Sequence, residues 1–247
     1  MALDFLAFAY PGAVVLAAYV IMGLTGFGSA LVTVPLLAWI WPLPEVVALA
    51  ISLDIVASAF HGGLNFAKVD KRGIALMMPG MLAGALIGVW FLGLVEPRWP
   101  LFILGLYVIS VGVRLLLNLR AKPGKQSYLS YSLSAMLVGL IEALFATAGP
   151  VLVAMMQRRH PDVSIIRASV PVGMVAVGAI ALVILIASNA VSLDLLLIRW
   201  FYTIPVALFG VWLGNRFARR VSLDRIRLAM GALLILSGFT LSRYLWL

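Results

Sequence analysis

A stretch dense in glycine and serine, Gly23-Leu-Thr25-Gly26-Phe-Gly28-Ser29-Ala-Leu-Val-Thr33-Val-Pro35, lies inside one apolar segment running from about Phe5 to Trp41. No other feature limits so strongly what this chain can fold into. Glycine weakens a helix by about 1 kcal/mol relative to alanine, and proline removes a backbone donor. In hydrocarbon, the backbone groups freed by a break survive only against other protein or a wet cavity. The stretch therefore predicts a broken membrane helix that lines a cavity.

Composition agrees with a membrane setting. The chain of 247 residues is 64% hydrophobic and only 11% charged, with a mean hydropathy of +1.13. A soluble domain carries about 25% charged residues. The apolar runs are too long for barrel strands, so the expectation is an all-α integral membrane protein. Cysteine is absent, which excludes disulfides, thiolate catalysis and cysteine-held metals. The net charge of +9 does not point to nucleic acid, because the basic residues sit in short loops between apolar runs. Met1 to Pro11 carries Asp4 and no lysine or arginine, so no signal peptide is expected.

Eight apolar segments can be read, at about 5–41, 44–67, 73–95, 98–118, 128–157, 162–188, 194–217 and 223–246. The first and fifth are too long for one span, and both are interrupted. A shift of 126 residues carries Pro79, Gly84, Gly88, Gly105 and Gly112 onto Pro205, Gly210, Gly214, Gly231 and Gly238. Nearer the N-terminus the shift is about 115, pairing Gly23 with Gly139 and Pro35 with Pro150. Two homologous halves follow, 1–122 and 123–247, within one membrane domain.

Charge orients them. With the Lys68–Arg72 loop cytoplasmic, and segments 1 and 5 each crossing once, the basic residues split nine against nine. If both segments return to the side they entered, fifteen are cytoplasmic and only Arg98, Arg199 and Arg243 lie outside. The second distribution is the one expected of a membrane protein. The predicted fold is thus two inverted-topology repeats, each a broken, re-entrant helical hairpin followed by three transmembrane helices. The return legs, about 29–41 and 146–157, span roughly 20 Å and fall short of a full crossing.

The motif Gly23-x-x-Gly26-x-Gly28 with Pro35, followed by Pro44 and an alanine-rich second segment, resembles the TauE/SafE family of sulfite and organosulfonate exporters. Ser29 and Ala30 stand where the family pattern carries further glycines. The second copy, Gly139-Leu-Ile-Glu142-Ala-Leu-Phe-Ala-Thr147-Ala-Gly149-Pro150, keeps little besides Gly-Pro. The resemblance implies a multi-pass protein of the cytoplasmic membrane. It also implies secondary transport, export in particular, of a small anion such as a sulfonate, sulfite or carboxylate. A passive anion channel is the alternative.

No enzyme is expected, since no nucleophile–base pair, metal-ligand spacing, cofactor motif or P-loop occurs. The expected partners are a small anion, the lipid bilayer and a homo-oligomeric copy, with no nucleic acid. For anion binding the candidates are Thr25, Gly26, Gly28, Ser29, Thr33, Thr147 and Gly149. Half-helix N-termini offer free amides and partial positive charge there. The bland reading is that these small residues only let helices pack closely.

For proton coupling the candidates are Asp54, His61 and Glu142, because ionisable groups in membranes face the bundle interior or a wet cavity. Asp54, Ser58, His61, Asn65 and Lys68 recur at steps of 4, 3, 4 and 3, one stripe along a helix. Against this stands a packing role for each carboxylate. Arg167 is read as an interfacial anchor and His160 as a solvated loop residue.

Overall fold

This computed structural model describes residues 2–25, 28–62, 68–96, 98–117, 128–160, 162–217 and 223–242. The described residues form ten helices: α1 (Ala2–Thr25), α2 (Ser29–Leu37), α3 (Leu43–Gly62), α4 (Lys71–Leu94), α5 (Arg98–Leu116), α6 (Tyr128–Phe145), α7 (Gly149–Arg159), α8 (Val163–Ala187), α9 (Leu193–Phe217) and α10 (Leu223–Ser242). Segments 1 and 5 are each divided in two. Five helices are long and apolar enough to cross a membrane, within α3, α4, α6, α8 and α9. α2 has nine residues and α7 eleven. At 1.5 Å per residue they reach about 14 and 17 Å, roughly half a bilayer core.

The two breaks have different local causes. At the first, Gly28 takes a left-handed conformation, φ 97°, and α2 begins at the next residue. A side chain there would be strained. At the second, Ala146 itself adopts φ 55°, and Pro150 opens α7. Proline suits a first helical turn, where its missing N–H is not needed.

Helix starts recur along the chain. α7 begins 120 residues after α2 (149 − 29), α8 120 after α3 (163 − 43), α9 122 after α4 (193 − 71) and α10 125 after α5 (223 − 98). The offset near 115 is therefore corrected. Pro35 is the seventh residue of α2 and Pro150 the second of α7, so they do not occupy matching places.

The most extensive packing joins α4 to α6, α5 to α10 and α1 to α9. Glycines make these approaches close. A Cβ on Gly84 would collide with the backbone of Met136 and Leu140 on α6, and one on Gly214 with the backbone of Val20 and Gly23 on α1. Gly105 meets Gly238, and Gly112 meets Gly231. Rising numbers on α5 thus meet falling numbers on α10, and the two cross antiparallel. In lipid, small residues let backbones approach and dispersion contacts accumulate.

Gly84→Leu is expected to destabilise the protein by about 3 kcal/mol, the upper range for overpacking. Gly93→Leu should be nearly neutral, because nothing lies within 4 Å of a Cβ there. Thermal unfolding in detergent compares the two.

Candidate functional site

Both helix breaks open onto one cavity. It holds about 570 Å³ of empty space, counted with its open mouth. The first break contributes Gly28 and Ser29, and the second Ala146, Thr147, Gly149 and Pro150. α3 adds Asp54 and Ser58, α6 adds Glu142, and α8 adds an apolar wall that includes Pro171 and Met174.

Each break faces a carboxylate. Asp54 Oδ1 accepts hydrogen bonds from Tyr19 Oη on α1 and Ser29 Oγ at the start of α2, both at 2.6 Å. Glu142 Oε2 accepts from the Ala148 N–H at 3.1 Å, at the N-terminus of α7. Glu142 is 2% exposed. A carboxylate placed there is favoured by the helix dipole and by an otherwise unmatched amide. Tyr107 Oη on α5 donates to the Thr147 carbonyl at 2.8 Å and stacks near Phe145, so a neighbouring helix braces the second break. Thr147 is 2% exposed and lines the cavity, and its Oγ1 has no hydrogen-bond partner among the described residues.

The cavity therefore brings together Gly28, Ser29, Thr147, Gly149, Asp54 and Glu142. Thr33 is not among the lining residues; it is fully buried on α2 and its Oγ1 has no partner among the described residues. Gly26, and the side chains of Thr25, His61 and Arg167, lie outside the described residues. Of the polar stripe, Asp54 and Ser58 lie on α3 and line the cavity, while Asn65 is outside the described residues. Sequence reasoning missed Tyr19 and Tyr107. Their only signal is a hydroxyl in an otherwise apolar run.

His160 requires a correction. It is not a solvated loop residue: its Nε2 lies 2.7 Å from Asp70 Oδ2. The same oxygen accepts from Arg159 Nε at 2.7 Å. Asp70 also caps α4 by accepting from the Gly73 N–H at 2.8 Å, while its own N–H donates to Ser169 Oγ at 2.9 Å. Tyr131 Oη donates to the Gly73 carbonyl at 2.9 Å, and the Arg159 guanidinium lies over the Tyr131 ring. Burial pushes the Asp70 carboxyl up, but hydrogen bonds from His160, Gly73 and Arg159, with the Arg159 charge, hold it down at about 2. A second cross-link joins Arg199 on α9 to Glu45 in the first turn of α3, with the guanidinium 4.3 Å from the centre of the Trp41 ring.

The family model for "Sulfite exporter TauE/SafE" matches residues 12–241. The chain belongs to the TauE/SafE family. It is also 45% identical over 202 residues to the "Probable inner membrane transporter protein TsaS" of Comamonas testosteroni, covering 80% of this chain and 83% of that one. No solved structure matches. The chain is thus a multi-pass cell-membrane transporter of the sulfite and sulfonate exporter type, rather than an enzyme.

The depressed Asp70 carboxyl sets a pH window. Its contribution is complete above the unfolded value of about 4 and is lost as pH falls through the folded value near 2. The stability difference between the parent and Asp70→Asn should therefore stay constant down to about pH 4 and close towards pH 2. Detergent melts across that range measure it. Tyr19→Phe should cost about 1–3 kcal/mol, the scale of depriving a buried acceptor of a hydrogen bond, read by the same melts.

Proposed function

We propose that this protein exports a small organic or sulfur-containing anion by alternating access, with substrate held between the two helix breaks. The observation that carries the reading is the convergence of both breaks and two carboxylates on one cavity. The TsaS likeness supports transport at the inner membrane. The substrate class is a sulfonate, sulfite or related carboxylate.

The halves are read as inverted repeats, with α2 and α7 as re-entrant legs. Three observations support this: the legs are half a bilayer long, the helix starts recur at a near-constant offset, and α5 crosses α10 antiparallel. A two-fold axis in the membrane plane pairs equivalent helices antiparallel, whereas one along the membrane normal would pair them parallel.

At the site, Asp54 draws the Ser29 hydroxyl and Glu142 draws the Ala148 amide. Both donors lie where an anion would be bound. A substrate anion meets two carboxylates that hold its donors and repel its charge. Protonating Asp54 or Glu142 removes the repulsion and releases a donor, so proton uptake and anion binding favour each other. Thr147 Oγ1 supplies a further hydroxyl with no competing acceptor. By this sign, affinity for the anion rises as pH falls.

Proteoliposome flux and counterflow of a labelled sulfonate test the reading. Flux should rise as pH falls. Asp54→Asn together with Glu142→Gln should flatten that response, and Thr147→Val should weaken binding by about tenfold, one charge-assisted hydrogen bond. Currents without counterflow would indicate a channel instead.

A further inference from the structure

We infer that the two ion-pair clamps that join the halves, Asp70 with Arg159 and His160, and Glu45 with Arg199, are the gates on either side of the cavity. This rests on the alternating-access reading above and goes beyond it by assigning residues to each gate.

The short helices act as arms between cavity and clamp. Gly149 lines the cavity and Arg159 closes the same helix. Ten residues at 1.5 Å place Arg159 about 15 Å from Gly149. Ser29 also lines the cavity, and α2 ends at Leu37, just before Trp41 and Glu45. Each arm therefore has its N-terminus at the cavity and its far end near a clamp.

The clamps sit towards opposite ends of α3. Glu45 is in its first turn, and Asp54 follows nine residues later, about 13 Å along the axis. α3 then continues to Gly62, with Asp70 beyond that end. The cavity thus lies between the clamps, and the Asp70 clamp lies on the side that the Lys68–Arg72 loop marks as cytoplasmic.

Each clamp crosses between halves in a matching way. Asp70 on the first half takes Arg159 and His160 from the end of α7 on the second. Arg199 on the second half takes Glu45, beside the end of α2, on the first. α4, which Asp70 caps, and α9, which carries Arg199, hold corresponding places in the helix order. The pairs are partly buried, with side-chain exposures of 12–31% and 14–16%. Breaking either one exposes charged groups that need water, so opening and wetting of that side occur together. Ion pairs between rigid bodies are interactions that a two-state motion can make on one side while breaking on the other.

The absence of cysteine makes the test direct. Ser58→Cys places one reporter thiol in the cavity wall. A membrane-impermeant maleimide is added to cells to probe the outer face and to inverted vesicles to probe the cytoplasmic face. Glu45→Gln should raise the ratio of outside to inside labelling by roughly fivefold or more, and Asp70→Asn should lower it by a similar factor. Asparagine keeps the cap on α4, so the second variant removes charge without removing the cap. Arg159→Gln should shift the ratio as Asp70→Asn does. Exchanging the charges in Glu45→Arg with Arg199→Glu should restore the parent ratio, which a misfolded single variant would not allow.

A ratio that ignores both clamps, or moves the same way for both, overturns the inference. Absence of counterflow in the parent would instead sink the transporter reading. A parent with counterflow whose labelling ratio is unmoved sinks the gates alone.

Discussion

Inside hydrocarbon a helix cannot stop without leaving amides and carbonyls that lipid will not satisfy. Here α1 ends at Thr25 and α6 at Phe145, each ahead of a short helix, and neighbouring groups take up polar atoms at both places. The second break is met from three directions. Glu142 accepts the Ala148 amide, Tyr107 donates to the Thr147 carbonyl, and Glu142's own carbonyl takes the Ala146 amide at 2.7 Å. At the first, Ser29 and Tyr19 converge on Asp54. The polar groups that make the breaks tolerable are also those that make the cavity chemically capable.

Close glycine packing serves the same end by different means. α4 on α6 and α1 on α9 approach until backbone meets backbone. Such interfaces hold position through shape, leaving the few polar contacts free to mark places where something changes. The ion pairs Asp70–Arg159 and Glu45–Arg199 lie near the far ends of α7 and α2 rather than along these glycine seams.

Local features of the chain were legible in the sequence, and distant pairings were not. Gly28 and the run Thr147-Ala-Gly149-Pro150 announce breaks because glycine and proline act on their own backbone. The breaks fall there. Asp54 and Glu142 stood out as carboxylates in apolar runs, and both line the cavity. The bond from Tyr19 to Asp54 spans 35 residues, and that from Arg159 to Asp70 spans 89. Such contacts depend on how helices are rotated against one another, which periodicity does not report. His160 was misread for this reason, since a loop histidine looks solvated until the opposing helix end is in place. The offset near 115 failed differently, because one matched glycine and one matched proline outweighed helix lengths that sequence does not show.

The two breaks are built from unequal springs. Ala146 stands at φ 55°, a posture that costs an L-residue about 1–2 kcal/mol, while Gly28 holds its left-handed turn without a side chain to resist it. Any movement that lets Ala146 relax regains that tension, and the first break has no comparable store to release. The second break is thus held against its own backbone preference by the contacts around it, and the first is not.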